Sequence, residues 1–254
     1  MEFPSFSVEG RGALVTGASK GIGRHVALTL ANAGADVVVS GRDETELAEV
    51  VALIRALGRE ATAIPAELAD AEAVKRLGAE ALAACPRLDI LVNNAGISVP
   101  EPALDQSLDA WDRTLAVNLR APFLLSQLCA RHMKDLGGGK IINIGSQSGE
   151  VGLKDHAAYC ASKGGLHNLT RALAVEWGPD NINVNCVAPT VILTPMGQMA
   201  WGDPVKAQGM LDQIPLGRFG VENDVSSAVL FLASPAGDLV HGQILAVDGG
   251  FTAR

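Results

Sequence analysis

The chain has a single tyrosine, Tyr159, in the run Tyr159-Cys160-Ala161-Ser162-Lys163, on a stretch with helical patterning. A spacing of four puts the phenol and the ammonium on one helix face, about one turn apart. Such a pair suits general acid–base chemistry. A free tyrosine has a pKa of about 10, and lowering it to near 7 takes about 4 kcal/mol. One nearby cation supplies about one to three units, so Lys163 alone is borderline. Thirteen residues before Tyr159 a candidate strand ends at Ile144-Gly145-Ser146, where a hydroxyl can hold a substrate carbonyl oxygen. Each signal has a plain alternative: Y-x-x-x-K arises by chance on helices, and Ser146 can simply cap the next segment. Their neighbours decide the matter.

The first of these is Thr16-Gly17-Ala18-Ser19-Lys20-Gly21-Ile22-Gly23, which joins the first candidate strand to a helix. Three glycines let the backbone approach a pyrophosphate closely, and the helix N-terminus adds free N–H groups and a partial positive charge. Strand, glycines and helix follow in the order a dinucleotide site requires, the alternative being a tight turn that only packs helix on strand. An oxidised nicotinamide ring held there would bring the remaining positive charge to Tyr159. The second strand ends at Ser40-Gly41-Arg42. An NAD site places an acid near this point for the ribose hydroxyls, whereas an arginine accommodates a 2′-phosphate. Arg42, Lys20 and the lack of an acid at 40 or 41 favour NADP(H), with NAD(H) as the alternative cofactor.

These residues need a scaffold, and the chain supplies one. Short apolar runs at 13–16, 36–40, 62–64, 89–92, 140–144, 183–187 and 244–247 alternate with helical patterns at 22–33, 44–57, 71–84, 108–133, 157–177 and 222–232. Continuous Val/Ile/Leu runs indicate strands covered on both faces. Asp43 and Asp70 stand at N-cap positions, and Gly34 and Gly58 where helices stop. The alternation implies an α/β fold: a Rossmann-type, doubly wound parallel sheet of about seven strands in a three-layer α/β/α sandwich. No linker or repeat divides it, so residues 1–254 read as a single domain. The segment 190–218, with three prolines, three methionines and Trp201, is too long for an ordinary connection and reads as a substrate-binding loop or lid carrying a short helix near 205–213.

Composition narrows the function classes. The 254 residues are 48% hydrophobic and 19% charged, which excludes disorder. Twenty Lys and Arg against 28 Asp and Glu leave a net charge of −8, which argues against nucleic acid and an anionic membrane as partners. The N-terminal residues lack a basic region and an apolar run, and no stretch is long enough to span a bilayer. Four widely spaced cysteines, Cys85, Cys129, Cys160 and Cys186, read as reduced and mostly buried, so the expected compartment is the cytoplasm. The five histidines show no ligand spacing, so no metal is expected.

Taken together, the chain resembles the short-chain dehydrogenase/reductase family, in its single-domain branch of about this length. The resemblance runs from Gly12 to Gly250: the TGASKGIG loop, Asn93-Asn94-Ala95-Gly96, Asn118, Ser146, Tyr159 with Lys163, and the closing Val247-Asp248-Gly249-Gly250. It implies a catalytic tetrad of Asn118, Ser146, Tyr159 and Lys163. Tyr159 would act as general acid or base and Ser146 would polarise the carbonyl. Lys163 would lower the tyrosine pKa and bind the nicotinamide ribose, and Asn118 would hold a water in a proton relay. Cofactor contacts are implied at Gly17, Ser19, Lys20, Gly21, Ile22, Gly23, Arg42, Glu67, Leu68, Asn94, Ala95, Gly96, Pro189, Ile192 and Thr194. Two departures stand out. Pro189-Thr190 replaces the usual Pro-Gly, and a β-branched residue resists positive φ, which predicts an altered loop path. Glu67 replaces the usual aspartate beside adenine.

The substrate is less legible. Reductases of acyl-carrier-protein thioesters have docking arginines where this chain has Gly137 and Asp180, and its negative charge opposes an acidic partner. Gln147, Glu150, His156 and Trp201 at the lid end suit a hydroxylated chain. The expected activity is therefore interconversion of a secondary alcohol and a ketone on a polyol, sugar or sugar acid. A 3-oxoacyl thioester reductase is the alternative enzyme, and a non-catalytic dinucleotide-sensing protein the alternative of another class. The resemblance also implies a homotetramer, built through the long helices and the C-terminal strand.

Overall fold

The computed structural model describes residues 3–194, 197–198, 201 and 203–253. Seven strands, β1 (Gly12–Thr16), β2 (Asp36–Gly41), β3 (Ala61–Pro65), β4 (Leu88–Asn93), β5 (Gly139–Ile144), β6 (Ile182–Pro189) and β7 (Ile244–Val247), form one sheet in the order β3-β2-β1-β4-β5-β6-β7. Every pairing is parallel. The helices are α1 (Gly21–Asn32), α2 (Glu44–Ala56), α3 (Ala71–Ala84), α4 (Leu108–Leu115), α5 (Ala121–Asp135), α6 (Ala157–Trp177), α7 (Pro204–Leu211) and α8 (Glu222–Ala233).

Side chains alternate between two cores along the central strands. Ala13 and Val15 of β1 join Val26 and Leu30 of α1, Leu47 and Ile54 of α2, and Val225 and Val229 of α8. Leu14, between them, packs on the other face with Leu77 of α3, Leu125 and Met133 of α5, and Leu173 of α6. Helices on both faces explain why the strands read as unbroken apolar runs. The caps fall where the sequence puts them: Asp43 accepts from Glu46 N at 3.0 Å and Asp70 from Glu72 N at 2.9 Å.

Two expectations need correction. The helix predicted at 108–133 is interrupted: α4 and α5 are joined by a π turn at Ala116–Arg120, in which Ala121 N–H reaches back to Ala116 O. Asn118, fully buried, lies in this turn, and helical periodicity cannot reveal a one-residue widening. Only two of the four free thiols, Cys129 and Cys186, are buried; Cys85 and Cys160 are half-buried. Thr190 avoids positive φ, as a β-branched residue is expected to: among the described residues only Asp155 and Asn181 combine a side chain with positive φ.

The strand order reverses beside β1: β2 and β3 lie to one side, and the chain crosses back to place β4 on the other. A doubly wound sheet opens a crevice at this switch point, outside the carboxyl ends of its strands. The loops carrying Gly17, Arg42, Asn94, Ser146 and Thr190 all leave the sheet at that edge. The predicted lid follows β6, although residues 195, 196, 199, 200 and 202 within it lie outside the described residues. Ala207 and Met210 of α7 gather with Ile214 and Phe219 into a small apolar cluster that holds Trp201. Among the described residues no helix is long and apolar enough to cross a membrane, and no His/Cys/Asp/Glu cluster could hold a metal ion.

Candidate active site

A cleft of about 970 Å³ opens along that edge, at the upper end of the range for ligand sites. Its wall includes the predicted cofactor contacts and three of the four groups expected at the lid end: Gly17, Ser19, Lys20, Gly21, Ile22, Gly23, Arg42, Glu67, Leu68, Asn94, Ala95, Gly96, Gln147, His156, Pro189, Ile192, Thr194 and Trp201, with Ser146, Tyr159 and Lys163. Glu150 does not line the cleft and instead meets His167 Nδ1 at 2.9 Å; the other exception is Asn118. It lies one layer behind, under Gly96 and Ile97.

The floor at one end is the glycine loop. Gly17 and Gly21 have φ of +63° and +55°, a region open to glycine at little cost. A Cβ on Gly17 would come within 2.9 Å of Ala95 Cα, and one on Gly23 would strike the Gly17 carbonyl. The loop is held from below by two polar side chains. Asn94 Nδ2 donates to Thr16 O at 2.8 Å and Gly17 O at 3.1 Å. Thr16 Oγ1 accepts from Asn94 N at 3.0 Å and Ala95 N at 3.1 Å. Thr16 was not among the predicted site residues, although a hydroxyl at the last position of β1, beside the glycines, was the available signal of this supporting role. The first turn of α1 has no side-chain cap, which leaves its N–H groups open to the cleft.

At the outer end stand the predicted cations. Lys20 Nζ lies 3.7 Å from Glu46 Oε2, and Arg42 Nη1 lies 3.7 Å from Glu67 Oε2. Between them the Ser40 hydroxyl is buried without a partner. At the inner end Thr190 Oγ1 is likewise buried and unpartnered, as is Gln147 Oε1. Buried polar atoms in this condition are costly unless a ligand or water satisfies them. Thr194 Oγ1 accepts from Gly197 N at 3.1 Å, so its proton remains available for donation.

The reactive groups converge in the middle. Ser146 follows β5, and its Oγ accepts from Ser148 N at 3.1 Å. Tyr159 and Lys163 rise from the first two turns of α6, with Lys163 Nζ 5.7 Å from the phenol ring centroid. That ammonium is buried and donates to Ile144 O at 2.7 Å. Burial lowers the Lys163 pKa to about 8, which keeps it mostly charged at neutral pH. Burial raises the Tyr159 pKa, while a hydrogen bond from Ser146 partly offsets the rise. In the free protein the phenol is therefore held protonated, in keeping with the reading that Lys163 alone is borderline and that the charge of an oxidised nicotinamide is also needed. The phenol ring is also in edge-on contact with His156, at 6.2 Å between centroids and 77° between planes.

Asn118 serves a different neighbour from the one expected. Its Oδ1 accepts from Ile97 N at 2.8 Å, and its Nδ2 donates to Ile97 O at 2.9 Å and Ser162 Oγ at 3.0 Å. Both amide hydrogens are spent on clamping the loop after β4 to α6. Ser162, which in turn donates to Tyr159 O at 2.8 Å, completes this clamp and was also missed; its place three residues after Tyr159 was the clue.

The sequence also has known relatives. Residues 17–252 match a family model described as Enoyl-(Acyl carrier protein) reductase. L-xylulose reductase of Bos taurus is 45% identical over 245 residues, which are 96% of this chain and 97% of the relative. NAD-dependent glycerol dehydrogenase of Listeria innocua is 40% identical over 249 residues, covering 98% of this chain and 96% of the relative. Among solved structures, one from Beutenbergia cavernae assigned as an NAD(P)-dependent gluconate 5-dehydrogenase, with NADP bound at low occupancy, matches with a TM-score of 0.94. It is 42% identical, covering 98% of this chain and 99% of that one.

Proposed function

The chain belongs to the short-chain dehydrogenase/reductase family, and on that footing we propose that it interconverts a secondary alcohol and a ketone on a polyol, sugar or sugar acid. The observation that carries this reading is the convergence of Ser146, Tyr159 and Lys163 on one wall of a cleft whose floor is the glycine loop. A nicotinamide dinucleotide bound there supplies or accepts the hydride. The residues present fit that group: a cradle that any Cβ would fill, an uncapped helix start, and unpartnered hydroxyls at both ends of the cleft.

The chain's own residues then handle the proton and the carbonyl. In ketone reduction Tyr159 O–H donates its proton to the carbonyl oxygen, and the Ser146 hydroxyl donates a hydrogen bond to the same oxygen. Lys163, fixed by Ile144 O, provides the positive charge that stabilises the phenolate left behind. In alcohol oxidation the phenolate takes the hydroxyl proton. Asn118 keeps Ile97 and α6 in register, and its backbone carbonyl, in the π turn, would hold the relay water. Gln147, His156 and Trp201 would meet the rest of the substrate.

For the cofactor, Lys20 and Arg42 with the unpartnered Ser40 hydroxyl support a preference for NADP(H), and NAD(H) is the alternative. The relatives' names include both kinds. A polyol, sugar or sugar acid is favoured by the polar groups at the lid end and by those names. A 3-oxoacyl thioester reductase is the second reading; the description of the matching family model shares with it the acyl-carrier substrate but not the bond reduced. Against it, the positions expected to carry docking cations hold Gly137 and an Asp180 already paired with Lys134 at 2.8 Å. The whole chain acts as one catalytic domain with 190–218 as its lid. It assembles as a homotetramer in the cytoplasm, through the exposed Leu108, Trp111 and Phe123 of α4 and α5, Val175 of α6 and the edge strand β7.

Turnover followed by NADPH absorbance, in both directions, on a panel of polyols, ketoses, aldonates and an acetoacetyl thioester tests the reading. Activity confined to the thioester overturns it, and cofactor binding without any hydride transfer returns the non-catalytic alternative.

A further inference from the structure

We infer that His167 is a positioning residue: its ring is the spacer that sets the distance between Ser146 and the Tyr159/Lys163 pair. This rests on the roles proposed above for those three residues. His167 lies on α6, four residues beyond Lys163 and eight beyond Tyr159, so it shares their helix face. It is 1% exposed. The loop that carries Ser146 folds directly over it. A Cβ on Gly149 would come within 2.5 Å of the ring's Cε1 and 2.7 Å of Nδ1, and one on Gly145 would strike Nε2.

Neither glycine has positive φ, so backbone conformation does not require glycine at 145 or 149. Space does. At Gly149 the imidazole alone occupies the room a methyl group would need, and at Gly145 it does so together with the Cys186 thiol, 2.6 Å from where that Cβ would stand. The ring is also held in plane. Its Nδ1 lies 2.9 Å from Glu150 Oε1, and Arg171 Nη2 stands 3.9 Å from that same oxygen. Glu150 closes the loop that begins at Gly145, so the loop is tied to α6 at one end by Glu150 and rests on it at the other.

The ionisable groups facing the ring are Glu150, Lys163, Arg171 and Cys186. Burial, with Lys163 and Arg171 acting in the same sense, pushes the imidazole below its ordinary pKa against the pull of Glu150. A neutral ring donates Nδ1–H to Glu150 and leaves Nε2 without a partner, as the structure has it. A neutral spacer also adds no charge beside Lys163.

The lone tyrosine makes this testable without turnover, because phenolate absorbance reports Tyr159 and nothing else. Ser146 favours the phenolate through its hydrogen bond, so a loop that drifts from α6 should lower the phenolate fraction. At a fixed alkaline pH at which near-ultraviolet circular dichroism shows the fold intact, His167→Ala is expected to reduce the phenolate-to-phenol ratio about threefold, as is Ser146→Ala. In the Ser146→Ala background, His167→Ala should produce no further change. With substrate, kcat should fall about 10- to 100-fold in His167→Ala while the Kd for NADPH stays unchanged. Glu150→Ala, which keeps the ring but frees it, should shift the ratio in the same direction by less, and it stands in if the His167 variant does not fold.

An unchanged phenolate ratio in a folded variant overturns the inference, as does an equal shift in the Ser146→Ala background. A wild-type enzyme that turns over nothing in the panel would sink the proposed function, while the titration would still decide the spacer.

Discussion

Arg42 and Glu67 face each other across the outer mouth of the cleft, Nη1 to Oε2 at 3.7 Å, each engaging the other's charge. One follows β2 and the other β3, and parallel pairing of Gly41 with Pro65 brings them together. Both are largely exposed, so the pair contributes at most about 1 kcal/mol to stability. Its consequence is for selectivity, since a 2′-phosphate must compete with Glu67 for the guanidinium.

Arg42→Ala should therefore raise the KM for NADPH about tenfold, leave that for NADH unchanged, and alter Tm little. Glu67→Gln should lower the KM for NADPH by releasing Arg42. Steady-state kinetics with both cofactors check this, and equal effects on NADPH and NADH would count against the assignment.

Tyr159→Phe should cut kcat by at least about a hundredfold while leaving NADPH binding intact, because only the proton transfer is lost. Since the free phenol is held protonated, the two directions should differ in pH dependence. Alcohol oxidation needs the phenolate and should quicken as pH rises; ketone reduction needs the acid and should slow. Profiles of kcat/KM in each direction, measured on wild type, test the sign.

Lys163 has a folded pKa of about 8 against an ordinary 10.5. Between those values the unfolded state binds more protons than the folded one, so stability rises with pH across that window and the cost is full below it. The penalty at neutral pH is on the order of 3 kcal/mol. Lys163→Met should remove the rise, narrowing its stability difference from wild type as pH climbs from 8 to 10.5. Urea midpoints along that range would show it; parallel curves for the two proteins would refute it.

Asn118→Ala strips both partners from Ile97 and should destabilise the fold by about 1–3 kcal/mol as well as lowering kcat. Asn118→Asp should do no better, because the carboxylate still accepts from Ile97 N but turns an acceptor toward Ile97 O. Thermal unfolding of the two variants is the check, and a wild-type Tm in either would show that the clamp is dispensable.

Much of the fold is readable from local chemistry. Helix limits follow from Asp43 and Asp70 as caps and from Gly34 and Gly58, whose φ of +110° and +78° suit only a chain leaving a helix. The parallel sheet follows from strands that are apolar on both sides. The cradle was legible because Gly17, Gly21 and Gly23 are demanded by close approach, and Tyr159 with Lys163 because four residues make one helical turn.

Other features were set by contacts between distant segments, and no local pattern encodes those. The π turn at Asn118 exists in a stretch that reads as one helix, and Asn118 serves Ile97 and Ser162 from 21 and 44 residues away. The Tyr159 phenol is more basic than its spacing from Lys163 suggests, because burial outweighs the Ser146 hydrogen bond while the ammonium stands 5.7 Å from the ring centroid. Arg42 is engaged by Glu67, and His167 is wedged beneath two glycines, only because strands and helices far apart in the chain pack side by side. Residue types and short spacings thus settled which groups could react and on what scaffold. Packing settled their protonation, their partners and the distances between them, since desolvation and long-range hydrogen bonds arise only once the layers close.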